Sequence, residues 1–130
     1  QFDFSVCVGT NGDTYDRFTS LFAKTDLSDD DIDVLVDNFA SWAAYRDKDP
    51  RYRGALAIIA AYLEHASPGV RWTSAFSLGN LRASEYRERL VRLCEDTTLT
   101  AYGYVSGVAR SAVRAIDGEE GVDLHDANCP

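Results

Sequence analysis

The chain has 130 residues, 45% hydrophobic and 26% charged, with a formal net charge of −8. This length suits one domain around one core, and no run of about 18 apolar residues reads as a membrane span. The acidity disfavours a nucleic-acid partner, because affinity for a polyanion comes largely from neutralising phosphates. The expected organisation is a single domain over 1–130: an N-terminal arm (1–13), a helical stack (14–117) and an acidic tail (118–130).

Phe2, Phe4, Val6 and Val8 alternate with Asp3, Ser5 and Cys7 ahead of Asn11-Gly12, which predicts a short extended arm ending in a turn. Asp13 or Thr14 then caps a short helix with Phe18, Leu21 and Phe22 on its apolar face. The next start signal is stronger. Ser28 is placed as N-cap and Asp31 at N3 as a short capping box, with Leu27 stapling onto Ile32. That helix is expected to reach about Arg46, burying Ile32, Leu35, Phe39 and Ala43 and carrying Asp30, Asp33 and Asp37 on another face.

Asp49-Pro50 breaks the chain, and an apolar helix with Leu56, Ile58, Ile59, Ala60 and Leu63 follows to about His65. Ser67 as N-cap and Pro68 at the first helical position open the next helix. Its stripe, Val70, Ser74, Ser77, Leu78 and Leu81, has the i, i+4, i+7, i+8, i+11 spacing of one helical face, and its small residues call for another helix at close range. A turn at Ala83-Ser84 leads into a helix with Tyr86, Leu90, Leu93 and Cys94 inward, and a Thr-rich loop runs from Thr97 to Thr100. The last helix carries Val105, Ala109, Ala112, Val113 and Ile116, the same set displaced by 35 residues. Small residues recurring in register mark stacked helical hairpins.

The segment PGVRWTSAFSLGNL, followed by a short turn and a helix ending in CEDT, resembles the HEAT-like repeats of the phycobilin-lyase type. Val70-Arg71, Ser74, Ser77, Leu78-Gly79 and Leu81 match that pattern; in the second copy Ser106 stands for Arg71 and Arg114 for Gly79. Residues 28–65 form a diverged pair recognisable by period alone, so the resemblance covers about 28–117. It implies an all-α fold, a short α-solenoid of stacked antiparallel helical hairpins. It implies function less firmly, since the family spans binding modules, bilin-lyase-related accessory proteins and HEAT-like DNA glycosylases.

There is no Gly-rich phosphate loop, His-Glu-x-x-His or Gly-x-Ser-x-Gly in the chain, and His65 and His125 have no ligand partner at helical spacing. The expectation is therefore a protein that is not an enzyme and uses no cofactor or metal. Cys7, Cys94 and Cys129 fit free thiols in a reducing, cytoplasmic compartment, with a Cys7–Cys129 bridge as the alternative.

Charge is distributed unevenly. Residues 1–50 hold 11 acidic and 4 basic side chains, 51–117 hold 6 and 9, and 118–130 hold 4 and none. Arg71, Arg82, Arg87, Arg89 and Arg92 are expected to pair locally with Glu85, Glu88 and Glu95, or else to hold an acidic partner or phosphate. The acidic entry points to a basic protein partner steered by opposite charge. Small acidic HEAT-like proteins resemble bacterial immunity proteins, which implies a toxin inhibitor acting on a basic, nuclease-like domain; a HEAT-like adaptor or scaffold is the alternative. The candidate partner-binding residues are Asp29, Asp30, Asp33 and Asp37, with Trp42 and Tyr45 as apolar anchors from an aromatic set that also includes Tyr52, Trp72, Tyr86, Tyr102 and Tyr104.

Overall fold

The computed structural model describes residues 12–124, so nearly all of the expected N-terminal extended arm, with Cys7, His125 and Cys129, lies outside the described residues. Among the described residues there are six α-helices and one two-stranded antiparallel hairpin: α1 (Gly12–Phe22), α2 (Asp29–Ala43), α3 (Tyr52–Ala60), α4 (Pro68–Asn80), α5 (Arg87–Leu93), β1 (Leu99–Thr100), β2 (Gly103–Tyr104) and α6 (Val105–Ile116). The protein is thus mostly helical. No helix among the described residues is long and apolar enough to cross a membrane.

The capping box forms as the sequence requires. Asp31 N–H donates to Ser28 Oγ at 3.1 Å and Ser28 N–H donates to Asp31 Oδ2 at 3.3 Å, while Asp29, Asp30 and Asp31 occupy the first turn of α2. Three other expected ends differ. α1 begins at Gly12, so Asp13 and Thr14 lie inside its first turn, and Thr14 is buried. α2 closes at Ala43, three residues short of Arg46, whose guanidinium bonds the Trp42 carbonyl at 2.8 Å and so occupies an end acceptor of the helix. Ser67 has the extended backbone of an N-cap, but its side chain makes no capping bond; its N–H donates to His65 Nδ1 at 3.0 Å.

α3 tightens into a 3₁₀ turn over Ala61–Glu64 rather than remaining α-helical to His65. At this junction Ser74 Oγ, fully buried on α4, donates to the Ile59 carbonyl at 2.7 Å. A small polar residue in the α4 stripe thereby satisfies a carbonyl of its neighbour. α4 ends with Arg82 in the left-handed region (φ 49°), where Ala83 N–H reaches the Leu78 carbonyl and Arg82 N–H the Gly79 carbonyl, the paired bonds of a Schellman turn.

α4 lies in the middle of the molecule, packed most extensively on α6 and next on α2. The first turn of α4 lies beside the first turn of α2, and Ser77 and Asn80 lie beside Asp37 and Ala44, so these helices run in the same direction. α4 and α6 also run alike: Gly69 is near Tyr102 just ahead of α6, and Gly79 meets Ala112. α3 packs on α2 and α4, and α5 packs on α6. The core runs through all six helices, with Leu35, Phe39, Leu56, Ile59, Leu78, Leu90 and Val105 almost fully enclosed.

Two segments depart from the expected helix–loop pattern. The Thr-rich loop turns into the β1–β2 hairpin, where Thr100 Oγ1 donates to the Gly103 carbonyl at 2.7 Å and accepts from Tyr102 N–H at 3.0 Å, and Gly103 takes φ 133°. The first residues of the acidic tail return to the core. Val122 is half-buried and Leu124 is 6% exposed, beside Gly79.

Three of the five arginines expected to pair locally pair through tertiary contacts instead. Arg71 bonds Asp96 at 2.8 Å, Arg87 bonds Asp117 at 2.7 Å, and Arg89 reaches Glu64 at 3.1 Å and the Ala60 carbonyl at 2.9 Å. Glu85 pairs with Arg53 instead. Local pairs at i+4 are worth only a few tenths of a kcal/mol, so these longer contacts can replace them. Cys94 is a half-buried free thiol whose burial pushes its pKa up, the setting of an unreactive cysteine.

Candidate functional site

α2 and α4 are held side by side by buried residues beneath them, but their outward faces do not close over each other. Three neighbouring clefts follow this seam. The first, about 270 Å³, lies where both helices begin, between Asp29, Asp30 and Asp33 on one side and Pro68, Gly69 and Leu99 on the other. The second, about 280 Å³, has Asp33, Val34 and Asp37 along one wall, with Trp72 and Phe76 across from them. The third, about 230 Å³, runs from Asp37 and Ser41 to Ser77 and Asn80. Tyr102, from the hairpin, lines both of the first two, and Asp37 is shared by the second and third.

The aromatic floor is ordered by stacking. Trp72 lies over Phe76 with ring centroids 5.1 Å apart and planes 12° apart, and Tyr102 packs on Trp72 at 4.9 Å. Val34, Leu99 and Tyr102, three of the five large hydrophobic residues left exposed among the described residues, line this same seam. Such clustering of exposed apolar side chains marks a binding surface better than scattered exposure does.

Asp33 is the pivot. Its Oδ1 accepts a hydrogen bond from Thr73 Oγ1 on α4, and its Oδ2 accepts one from the Tyr102 hydroxyl on the hairpin. Asp33 thus ties together three segments. Neutral hydroxyl donors orient the carboxylate without cancelling its charge. The effect is visible on Tyr102, whose pKa is pushed up to about 12, first by this hydrogen bond, then by burial and the neighbouring charges of Asp33, Asp30 and Asp37. Burial, followed by repulsion from Asp33, also raises the pKa of Asp37.

Among the described residues no Lys or Arg lines any of the three clefts. His65 lies at the edge of the first cleft, its Nε2 4.0 Å from Asp29 Oδ1. The N-termini of α2 and α4 supply about half an elementary positive charge each, against carboxylates at Asp29, Asp30, Asp31 and Asp33. The upper end of the seam is therefore negative overall.

The structure brings Asp29, Asp30, Asp33 and Asp37 to this seam, but not Trp42. Trp42 is 2% exposed, stacked on Phe39 at 5.7 Å and 14°, against Tyr15, with the Arg46 guanidinium 5.1 Å from its ring centre. It is a core residue, because α1 covers a side of α2 that the four-residue stripe left open. Tyr45 is 87% exposed, one residue beyond Ala44 at the foot of the third cleft. Tyr102, 50% exposed, lines the seam, whereas Trp72 is 4% exposed and belongs to the core beneath it. In the sequence both stood only within an excess of aromatic residues.

No protein-family model matches the chain, and no curated protein or solved structure matches it significantly. Among the described residues no group of three or more His, Cys, Asp or Glu side chains is arranged to hold a metal ion.

Proposed function

We propose that the chain is a protein-binding module without catalytic activity, a short HEAT-like α-solenoid that takes a basic protein partner along the α2–α4 seam. The observation that carries this reading is the seam itself: contiguous clefts with exposed Tyr102 and Val34, a wall of four aspartates and, among the described lining residues, no Lys or Arg. Opposite charge on a partner accelerates encounter and sets register, while aromatic anchors retain it. The parallel course of α2, α4 and α6, with α3 and α5 as returning helices, supports the stack. Small size, acidity and the HEAT-like pattern favour an immunity or inhibitor protein that covers a basic, nuclease-like toxin domain in the cytoplasm.

The test is co-purification of a tagged chain, followed by association rates for a variant combining Asp30→Asn and Asp37→Asn. Asp33 is left intact because it braces the fold. Association slower by about tenfold at low salt, with a flatter salt dependence, is expected. A partner that proves acidic, or rates unchanged by the double variant, overturns the proposal.

A further inference from the structure

His65 stands where the 3₁₀ turn after α3 gives way to α4, and its ring bonds to the backbone two residues on. Ser67 N–H donates to His65 Nδ1 at 3.0 Å, so Nδ1 is an acceptor and the proton of the neutral ring is on Nε2. Ser67 makes no side-chain capping bond, and its carbonyl takes the first bond of the helix, from Arg71 N–H at 3.1 Å. The imidazole thus fixes the residue at which α4 begins. That residue lines the first cleft together with Pro68 and Gly69, opposite Asp29, Asp30 and Asp33.

An imidazolium cannot hold this bond. Both of its nitrogens donate, so Nδ1–H would be turned against Ser67 N–H. Histidine is the side chain that ordinarily changes charge between about pH 5 and about pH 8. The added charge would face the Asp29 carboxylate of α2, 4.0 Å from Nε2. On its other side is the Arg71 guanidinium of α4, which donates to the His65 carbonyl at 2.8 Å and is paired with Asp96. Within the 3₁₀ turn, Glu64 is engaged by Arg89, and Tyr62 packs on the ring at 5.9 Å as a phenol that burial keeps neutral.

We propose that His65 is a proton-operated switch at the mouth of the first cleft: protonation releases Ser67 N–H at the start of α4 and sets a positive charge beside Asp29, so that the cleft holds a cationic partner less well in acid. The consequence for binding rests on the reading of the seam as the partner surface. The change at Ser67 does not.

The folded chain is titrated by NMR, with His65→Asn beside it. Asparagine can place an oxygen acceptor near the position of Nδ1 and does not titrate. In the parent, long-range proton–nitrogen couplings should put the proton of the neutral ring on Nε2, and the Ser67 amide should shift with the same midpoint as the His65 ring, Gly69 following. In His65→Asn both amides should stay in place over that range. A neutral ring protonated on Nδ1, a Ser67 amide that does not follow the ring, or the same Ser67 shift in His65→Asn overturns the switch.

The co-purified partner supplies the second readout. Protonation adds one positive charge where Asp30→Asn with Asp37→Asn removes two negative ones. Between about pH 7.5 and about pH 5.5, association should therefore slow about threefold more for the parent than for His65→Asn. If Ser67 switches but parent and variant slow alike, the consequence for binding is overturned, and the seam reading falls with it where the Asp30–Asp37 variant is also without effect. If Ser67 does not switch while that double variant still slows the partner, the seam stands and the switch falls.

Discussion

α4 meets one neighbour on each side, and the two contacts are built differently. Against α6 it presents Gly79, where an added Cβ would lie 2.8 Å from Ala112 Cβ and 2.9 Å from Ala112 Cα, so the backbones touch with no room between them. Against α2 it presents Thr73, Phe76 and Ser77, and three clefts remain. Small residues on both partners let helices close; larger and charged ones at the rim hold their outer faces apart while the core beneath stays packed. One helix can thus seal the fold on one side and leave a surface for binding on the other.

The closed side should be the less forgiving. Gly79→Ala forces a methyl into Ala112, including its backbone, and Leu124 Cδ2 at 3.1 Å limits escape. A loss of about 3 kcal/mol is expected by urea titration, the upper part of the overpacking range, with Ala112→Leu at roughly 1–3 kcal/mol. Parent-like midpoints would mean that the close approach of α4 to α6 is not real.

On the open side the largest effect belongs to the brace. Asp33→Ala strips the partner from Thr73, which is 5% exposed, and from Tyr102, for a loss of about 1–3 kcal/mol. The phenol reports the same bond. Its folded pKa of about 12 stands above the ordinary 10, so the stability it lends is complete below pH 10 and disappears as pH rises through 12. In Asp33→Asn, Tyr102 should ionise closer to 10, read from its absorbance during an alkaline titration. An unchanged titration would show that the Asp33 carboxylate does not hold the hydroxyl.

The difference between the two sides also marks what could be read from the sequence. The Ser28–Asp31 cap was legible because its partners are three residues apart, and the small-residue stripe because it is periodic. The brace was not, since Asp33 finds Thr73 and Tyr102 at separations of 40 and 69 residues, where neither period nor propensity carries information. Trp42 was misplaced for a related reason: a stripe of four positions describes a helix covered on one side, whereas α2 is covered by both α1 and its other neighbours. Arg71, Arg87 and Arg89 repeated the error in electrostatics, with local glutamates outcompeted by Asp96, Asp117 and Glu64. The aspartate face itself was legible, because four carboxylates spaced along one helix reach one side whatever packs beneath.

The smallest expected effect separates a carboxylate that braces from one that only waits at the rim. Asp37 has its pKa raised by burial and then by the charge of Asp33, so folding disfavours its ionised form. For a group raised in this way, the stability contributed is greatest below the ordinary value of 3.8 and declines as pH rises through the folded value. Asp37→Asn keeps the shape and removes that decline. The variant should match or slightly exceed the parent at pH 7, by about 0.5 kcal/mol or less, and the gain should vanish near pH 3. Its backbone carbonyl still accepts Ser41 Oγ, so no helix bond is lost. Urea titrations at the two pH values decide the matter. A variant less stable than the parent at pH 7 would make Asp37 a second brace, and the open seam would then be held by charge on both of its shared aspartates.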